Sequence, residues 1–204
     1  MKILLLPAYF FPEQAASSYL GDNIRQALCE SGAELELYVP MPTRGITNEI
    51  RDEYKKRKSE VWYNGQMSIR RFSIYSEGKN PILRALRYVL CWCIQLWNGI
   101  RAKDVDVIYI ASTPPIQGVL GGILKKIKKV PFVYNLQDIF PDSLVGTGLA
   151  KKDGILWKIG RVIENFTYRN ADKIIVISED FKRNIMAKGV PEEKIEVIYN
   201  WVDE

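Results

Sequence analysis

The sequence has no histidine. Without an imidazole these residues can form no Ser-His-Asp triad, no histidine acid or base, and no histidine-ligated metal site. Cysteine is scarce too. Cys29, Cys91 and Cys93 are odd in number, and the CxC pair has neither zinc-finger nor redox spacing, so all three are expected as reduced core residues. Long apolar runs are also missing. The run at residues 3–6 is too short for a signal peptide and meets Pro7. The longest stretch, YVLCWCIQLWNGI at 88–100, falls short of the roughly 18 residues of a spanning helix and is broken by Gln95 and Asn98. A cytoplasmic chain that does not cross a bilayer is the expectation.

What is present is ordinary for one folded domain over residues 1–204: 47% hydrophobic, 26% charged and a net charge of +5. The excess of Lys and Arg suits an anionic partner, whether phosphate, nucleic acid or acidic lipid. Strand-length apolar runs recur at 3–6, 35–39, 107–111, 132–136, 174–177 and 195–198, as in strands buried on both faces. Helical segments lie between them at 19–31, 82–102, 117–127, 154–169 and 179–188, the first closing on Ser31-Gly32 and the last on Lys188-Gly189. The alternation predicts an α/β fold, a doubly wound, mainly parallel Rossmann-like sheet. A charged block at 49–58 interrupts the rhythm, and segments at 60–63 and 67–74 flank Asn64-Gly65, which predicts a small antiparallel excursion.

In such sheets ligands bind beyond the carboxyl ends of the strands, so the loops after strands carry the candidates. The first loop, PAYFFPEQAASS at 7–18, has no glycine where a dinucleotide binder carries GxGxxG, which counts against NAD or FAD. Glu13, Ser17 and Ser18 are candidate contacts for a bulky polar substrate. The serines serve equally as a helix cap. After the run at 107–111, Thr113 is either a site hydroxyl or a cap. The run at 132–136 ends in Gln137-Asp138, polar residues where desolvated charge is costly unless used or paired. Asp138 is the candidate catalytic carboxylate, able to orient or deprotonate a hydroxyl; the competing reading is that Asp138 caps a turn and Asp142 a short helix.

Arg84 and Arg87 precede the aromatic run holding Trp92 and Trp97, and Lys151, Lys152 and Lys158 flank Trp157. Trp beside Lys and Arg is the composition of segments lying on anionic membranes; the competing reading is a solvated lysine surface and a Trp-rich helix that belongs to the core. No helix-turn-helix, RRM, KH or zinc pattern supports nucleic acid.

Three stretches together resemble the family-4 glycosyltransferases of the GT-B fold, in particular bacterial O-antigen and capsule transferases of fucosamine type. They are MKILLL with YFFP at 9–12, the QDIFPDSL core within 132–144, and ADKIIVIS at 171–178 running into KIEVIYNWVD at 194–203. The resemblance implies an N-terminal half that binds the acceptor, here a polyprenyl-diphosphate-linked saccharide. A nucleotide-sugar donor, UDP-linked, would be held by a second domain that this sequence does not include, in the same or a partner chain. Transfer would be retaining, with no metal ion and no cofactor bound by this half, in polysaccharide biosynthesis at the inner face of the plasma membrane. Many members carry His-Asp where this chain has Gln137-Asp138, so Asp138 and Gln137 are the matching positions. Paired glycines common after the first strand are replaced by Gln14-Ala-Ala-Ser-Ser18, which moves the expected role of that loop from phosphate to acceptor contact. On this reading the residues given bind acceptor and do not turn over alone. Two other readings remain: a self-contained nucleotide-binding Rossmann module, and a non-catalytic membrane-docked subunit of a two-chain transferase.

Overall fold

The computed structural model describes residues 1–13, 18–76, 80–148 and 150–201. Strand and helix alternate as expected, pairing is mainly parallel, and contacts divide the chain into two compact units, the first built on Met1–Asp106 and the second on Val107–Trp201.

The first unit contains β1 (Lys2–Leu5), α1 (Ser18–Glu30), β2 (Glu34–Pro40), α2 (Asn48–Lys56), β3 (Ser59–Trp62), β4 (Met67–Phe72) and α3 (Pro81–Arg101). Its strands lie in the order β3-β4-β2-β1. The antiparallel excursion is smaller than the sequence implies. β4 is a full member of the parallel sheet, registered on β2 from Leu35↔Met67 to Pro40↔Phe72, and only β3 runs against it. The turn between β3 and β4 places Tyr63, Asn64 and Gly65 at positive φ, a conformation that Asn and Gly accept with least strain and that explains the Asn-Gly signal. The charged block at 49–58 is largely α2, capped by Thr47, whose hydroxyl accepts the Ile50 N–H; it buries only Tyr54, too little apolar surface to register as a period.

Helix α3 packs on the sheet through an unexpected face. Gln95 is fully buried and donates to the Pro7 carbonyl at 2.8 Å and the Tyr38 carbonyl at 3.2 Å, stitching the helix to the ends of β1 and β2. Arg87 and Cys91 lie on the same inward stripe. The apolar stripe Leu83, Leu86, Leu90, Trp97 and Ile100 is left exposed, together with Cys93. Cys29 and Cys91 are therefore core thiols as expected, while Cys93 is not, because it sits on that outer face.

The second unit contains β5 (Val107–Ala111), α4 (Gln117–Lys128), β6 (Phe132–Leu136), α5 (Asp142–Gly146), α6 (Ile155–Asn170), β7 (Lys173–Val176), α7 (Glu179–Ala187) and β8 (Ile195–Val197). The strands are parallel in the order β5-β6-β7-β8. Phe132, Ile108, Ile174 and Val176 are fully buried, each contributing about 1.5–3 kcal/mol of transfer free energy. Helices α4 and α6 touch closely: a Cβ at Gly118 would stand 2.3 Å from the Thr167 side chain, so only glycine fits there. The basic last turn of α4 is partly structural. Lys125 binds Asp172 at 2.7 Å and the Asn170 carbonyl at 2.9 Å, tying α4 to the start of β7.

Candidate functional site

The carboxyl ends of β5 and β6 form the polar centre of the second unit. Ser112, buried just past β5, accepts the Gln137 backbone N–H at 2.9 Å and donates its own N–H to the Asn135 carbonyl. This joins the two strand ends so that Gln137 and Asp138 emerge from a fixed base. A chain of side-chain hydrogen bonds then runs one way across the strand end. Asn200 Nδ2 donates to Gln137 Oε1 at 2.9 Å, Gln137 Nε2 donates to Asn135 Oδ1 at 2.8 Å, and Asn135 Nδ2 donates to the Tyr109 hydroxyl at 2.7 Å. The direction of each bond fixes the next, so Gln137 has one orientation.

Asp138, the next residue, is exposed. Its Oδ2 accepts the Ser143 hydroxyl at 3.0 Å. Its side chain makes no backbone cap among the described residues, so one carboxylate oxygen remains unspent. Beside it lies a cleft lined by Pro115, Tyr134, Phe140, Glu164 and Tyr168. Burial pushes both tyrosine hydroxyls up, Glu164 adding to the effect, and they stay protonated. The cleft wall is braced by ion pairs. Lys188 reaches buried Glu164 at 2.8 Å and Asp142 at 2.6 Å, and Arg161 also binds Glu164. Burial works to raise the Asp142 pKa, but the hydrogen bond and charge of Lys188 outweigh it and hold the carboxyl below its ordinary value. Asp142 is thus an ion-pair partner in the first turn of α5 rather than its cap.

Thr113 is exposed in the loop after β5, and α4 begins at Gln117 without a side-chain cap, so the capping role weighed for Thr113 is not the one it has. Ser18 is exposed at the first position of α1; Ser17 lies outside the described residues.

Glu13 belongs to the first unit and is only 6% exposed. Its Oε1 accepts the backbone N–H of Thr43 at 2.6 Å and of Arg44 at 2.8 Å, pinning the loop after β2. The Thr43 hydroxyl connects it to Arg87, whose Nη2 donates to Thr43 Oγ1 at 3.0 Å and whose Nε donates to the Tyr75 carbonyl. Arg87 is 1% exposed, so its expected place on a membrane-facing surface is corrected: the guanidinium is held inside by the Thr43 hydroxyl and the Tyr75 carbonyl. Burial raises the neighbouring Cys91 thiol to about 11 against the opposing pull of Arg87, which leaves it protonated and inert. Of the other residues expected at a membrane, Trp97 is 55% exposed, with Arg101 over its ring, while Trp92 and Trp157 are half-buried. The Arg84 side chain lies outside the described residues.

Three features were not singled out in the sequence: Ser112, the Asn135–Asn200 pair that brackets Gln137, and Arg44. Ser112 and Asn135 sit at the ends of β5 and β6, but the contacts that matter reach across 25 and 63 residues of sequence, so no local pattern marked them. Among the described residues no three of His, Cys, Asp and Glu gather as metal ligands, and no helix is long and apolar enough to cross a membrane.

The family model for Glycosyltransferase Family 4 matches residues 22–204. A probable glycosyltransferase, WbjE of Pseudomonas aeruginosa, is 29% identical over 104 residues, 51% of this chain and 26% of that protein. Among solved structures, Alr3699/HepE of Anabaena in complex with UDP and glucose aligns with all of this chain and 45% of its own, at 20% identity and a TM-score of 0.56. Sucrose-phosphate synthase of Thermosynechococcus elongatus aligns with 97% of this chain and 47% of its own, at 11% identity and a TM-score of 0.67. These structural likenesses show the fold. The chain spans about a quarter of the curated relative and less than half of either structure.

Proposed function

This chain belongs to Glycosyltransferase Family 4, and from that premise we propose that it is the acceptor-binding half of a retaining glycosyltransferase. Its substrate class is a lipid-linked saccharide, a polyprenyl diphosphate carrying the acceptor sugar. The observation that carries the reading is Asp138: an exposed carboxylate at the end of β6, one oxygen steadied by Ser143 and the other unspent, beside the Tyr134–Tyr168 cleft. A general base needs that combination of fixed position and free lone pair.

In the proposed reaction the acceptor hydroxyl oxygen bonds to the anomeric carbon of the donor on the same face from which the nucleoside diphosphate departs, so the configuration is retained; the bond to the diphosphate breaks and its electron pair leaves with the diphosphate. The hydroxyl proton passes to Asp138. Gln137, locked between Asn135 and Asn200, offers no proton and orients sugar hydroxyls instead. The UDP and glucose of the Anabaena complex are in keeping with a UDP-linked sugar as donor.

The setting we propose is an anionic membrane surface in cell-surface polysaccharide synthesis, such as O-antigen or capsule. Residues 88–100 carry no charge, α3 exposes Leu83, Leu86, Leu90, Trp97 and Ile100, and Arg101 and Lys103 follow. In the second unit α6 likewise exposes Ile155, Leu156, Ile159 and Val162 beside Lys158. Apolar helix faces with cations at their margins suit the headgroup boundary of acidic lipids. The test is transfer of radiolabelled sugar from a UDP-sugar to a prenyl-diphosphate saccharide by a protein that joins these residues to a donor domain. Product would support the proposal; no transfer to any such acceptor would remove it.

A further inference from the structure

Arg44 is fastened at both ends to the loop that follows β1. Its backbone N–H donates to Glu13 Oε1 at 2.8 Å, and its guanidinium lies over the Tyr9 ring, 5.5 Å from the centroid. Glu13 is no surface contact: it is buried, holds the Thr43 amide as well, and faces Arg87 through the Thr43 hydroxyl. Its Oε1 is taken up by these partners, while among the described residues its buried Oε2 makes no hydrogen bond. The Tyr9 ring is fixed in turn by a hydrogen bond between its hydroxyl and that of Tyr88 on α3, the two rings meeting edge to face.

The Arg44 side chain itself is exposed, and among the described residues its guanidinium makes neither an ion pair nor a hydrogen bond. An ordinary surface arginine must give up rotamer freedom to grip a ligand. Arg44 has given up part of it already, because Glu13 fixes its backbone and the Tyr9 ring holds its guanidinium, while its donors are kept. It stands at the carboxyl ends of β1 and β2, where parallel sheets bind their ligands. A planar guanidinium with unspent N–H groups matches two oxygens of one phosphate, and a hydroxyl pair alongside adds an O–H donor.

We propose that Arg44, with the Tyr9–Tyr88 pair, is a phosphate subsite that takes the diphosphate of the acceptor. This rests on the reading of the chain as an acceptor-binding half. The same chemistry could be met by a lipid headgroup phosphate, and the experiment separates the two.

The 204-residue chain is titrated calorimetrically with inorganic pyrophosphate at constant ionic strength. Saturable binding is expected, weakened tenfold or more by R44Q, less by R44K, which keeps the charge but loses the planar donor pair, and a few-fold by Y88F. Thermal midpoints of the Arg44 variants should match the parent, since the side chain is exposed. Absence of saturable binding, or equal affinity in R44Q, overturns the subsite. In parallel, cosedimentation with phosphatidylglycerol vesicles should be unchanged in R44Q; loss on vesicles with intact pyrophosphate affinity would assign Arg44 to a headgroup and overturn the proposal. Neither arm requires sugar transfer. A longer protein that binds pyrophosphate through Arg44 yet transfers no sugar would defeat the transferase reading and leave the subsite standing.

Discussion

Asn200 donates its side-chain amide to Gln137 at 2.9 Å, joining residues 63 positions apart in sequence. The pairing shows what Gln137 does at the end of β6. Its carbonyl is held by Asn200 and its amide by Asn135, so the side chain is a positioned hydrogen-bonding group with no proton to lose near neutral pH. In the proposed reaction acceptor orientation and proton transfer are divided between neighbours, Gln137 for the first and Asp138 for the second.

The division predicts a clear asymmetry. In a longer protein with its donor domain, Asp138→Asn should lower kcat by about 10²–10⁴-fold, the usual worth of a general base, with an unchanged thermal midpoint. Asn200→Ala frees Gln137 and should raise KM for the acceptor several-fold while sparing kcat. Steady-state kinetics on both variants decide it, and a D138N enzyme with full turnover would reduce Asp138 to a residue that only holds Ser143.

Lys188 is the keystone of the cleft wall. It serves buried Glu164 and half-buried Asp142 together, so Lys188→Met leaves a buried carboxylate with Arg161 alone. A loss of about 3–5 kcal/mol is expected from breaking such a pair on one side. Urea unfolding of the variant measures it; a loss under about 1 kcal/mol would mean the pair behaves like an exposed one.

Acid should expose the same contact. Asp142 has a folded pKa below its unfolded value of about 3.9, so the unfolded state binds the extra proton. Its stabilisation is present above the unfolded pKa and is lost as pH falls through the folded one. Asp172, which receives Lys125 and the Phe132 N–H, acts in the same direction, although burial opposes the lowering in both. Stability measured from pH 5 to pH 2 should fall, and the fall should shrink in Asp142→Asn. An undiminished fall in that variant would exclude Asp142 as a contributor.

Glu13 is expected to be structural first. Glu13→Ala removes the acceptor for two backbone amides and for the Thr43 hydroxyl, which should cost about 2–5 kcal/mol and loosen residues 43–44. Hydrogen exchange at the Thr43 and Arg44 amides gives the local readout. Exchange no faster than in the parent would contradict the role.

Much of the fold was legible because parallel strands buried on both faces announce themselves as apolar runs; the segments at 107–111 and 132–136 match β5 and β6 residue for residue. Helix α2 was not, because a helix that buries one tyrosine shows no apolar period, though its Thr47 cap and Glu53–Arg57 pair are helix signals in retrospect. The orientation of α3 was hidden for a different reason. Its stripe of Leu83, Leu86, Leu90, Trp97 and Ile100 has the period of a core face, yet it is the outer one, and the inner face is Arg87, Cys91 and Gln95. Periodicity gives the existence of two faces and not which one meets the sheet. At the site, Asp138 and Gln137 stood out as polar residues at a strand end. Their partners Ser112 and Asn200 did not, because contacts across 25 and 63 residues of sequence leave no local pattern. Glu13 stood out for its position, but its partners lie 30 and 31 residues away, and they make it a fastener of the loop after β2.

The outward stripe of α3 should make vesicle binding depend on both charge and apolar area. Binding to phosphatidylglycerol vesicles should weaken as salt rises, since surface attraction is screened within about 8 Å at physiological ionic strength, and Leu86→Asp or Trp97→Asp should abolish it without unfolding the chain. Equal binding to neutral and acidic vesicles would argue against the charged margins.

The most direct measurement is a binding comparison on the 204-residue chain itself, titrated side by side with a short-chain prenyl-diphosphate saccharide, UDP, NAD and a flavin. An acceptor-binding half takes up the lipid-linked saccharide saturably and the other three weakly or not at all. Tight binding of UDP or of either dinucleotide, with no uptake of the saccharide, would contradict it.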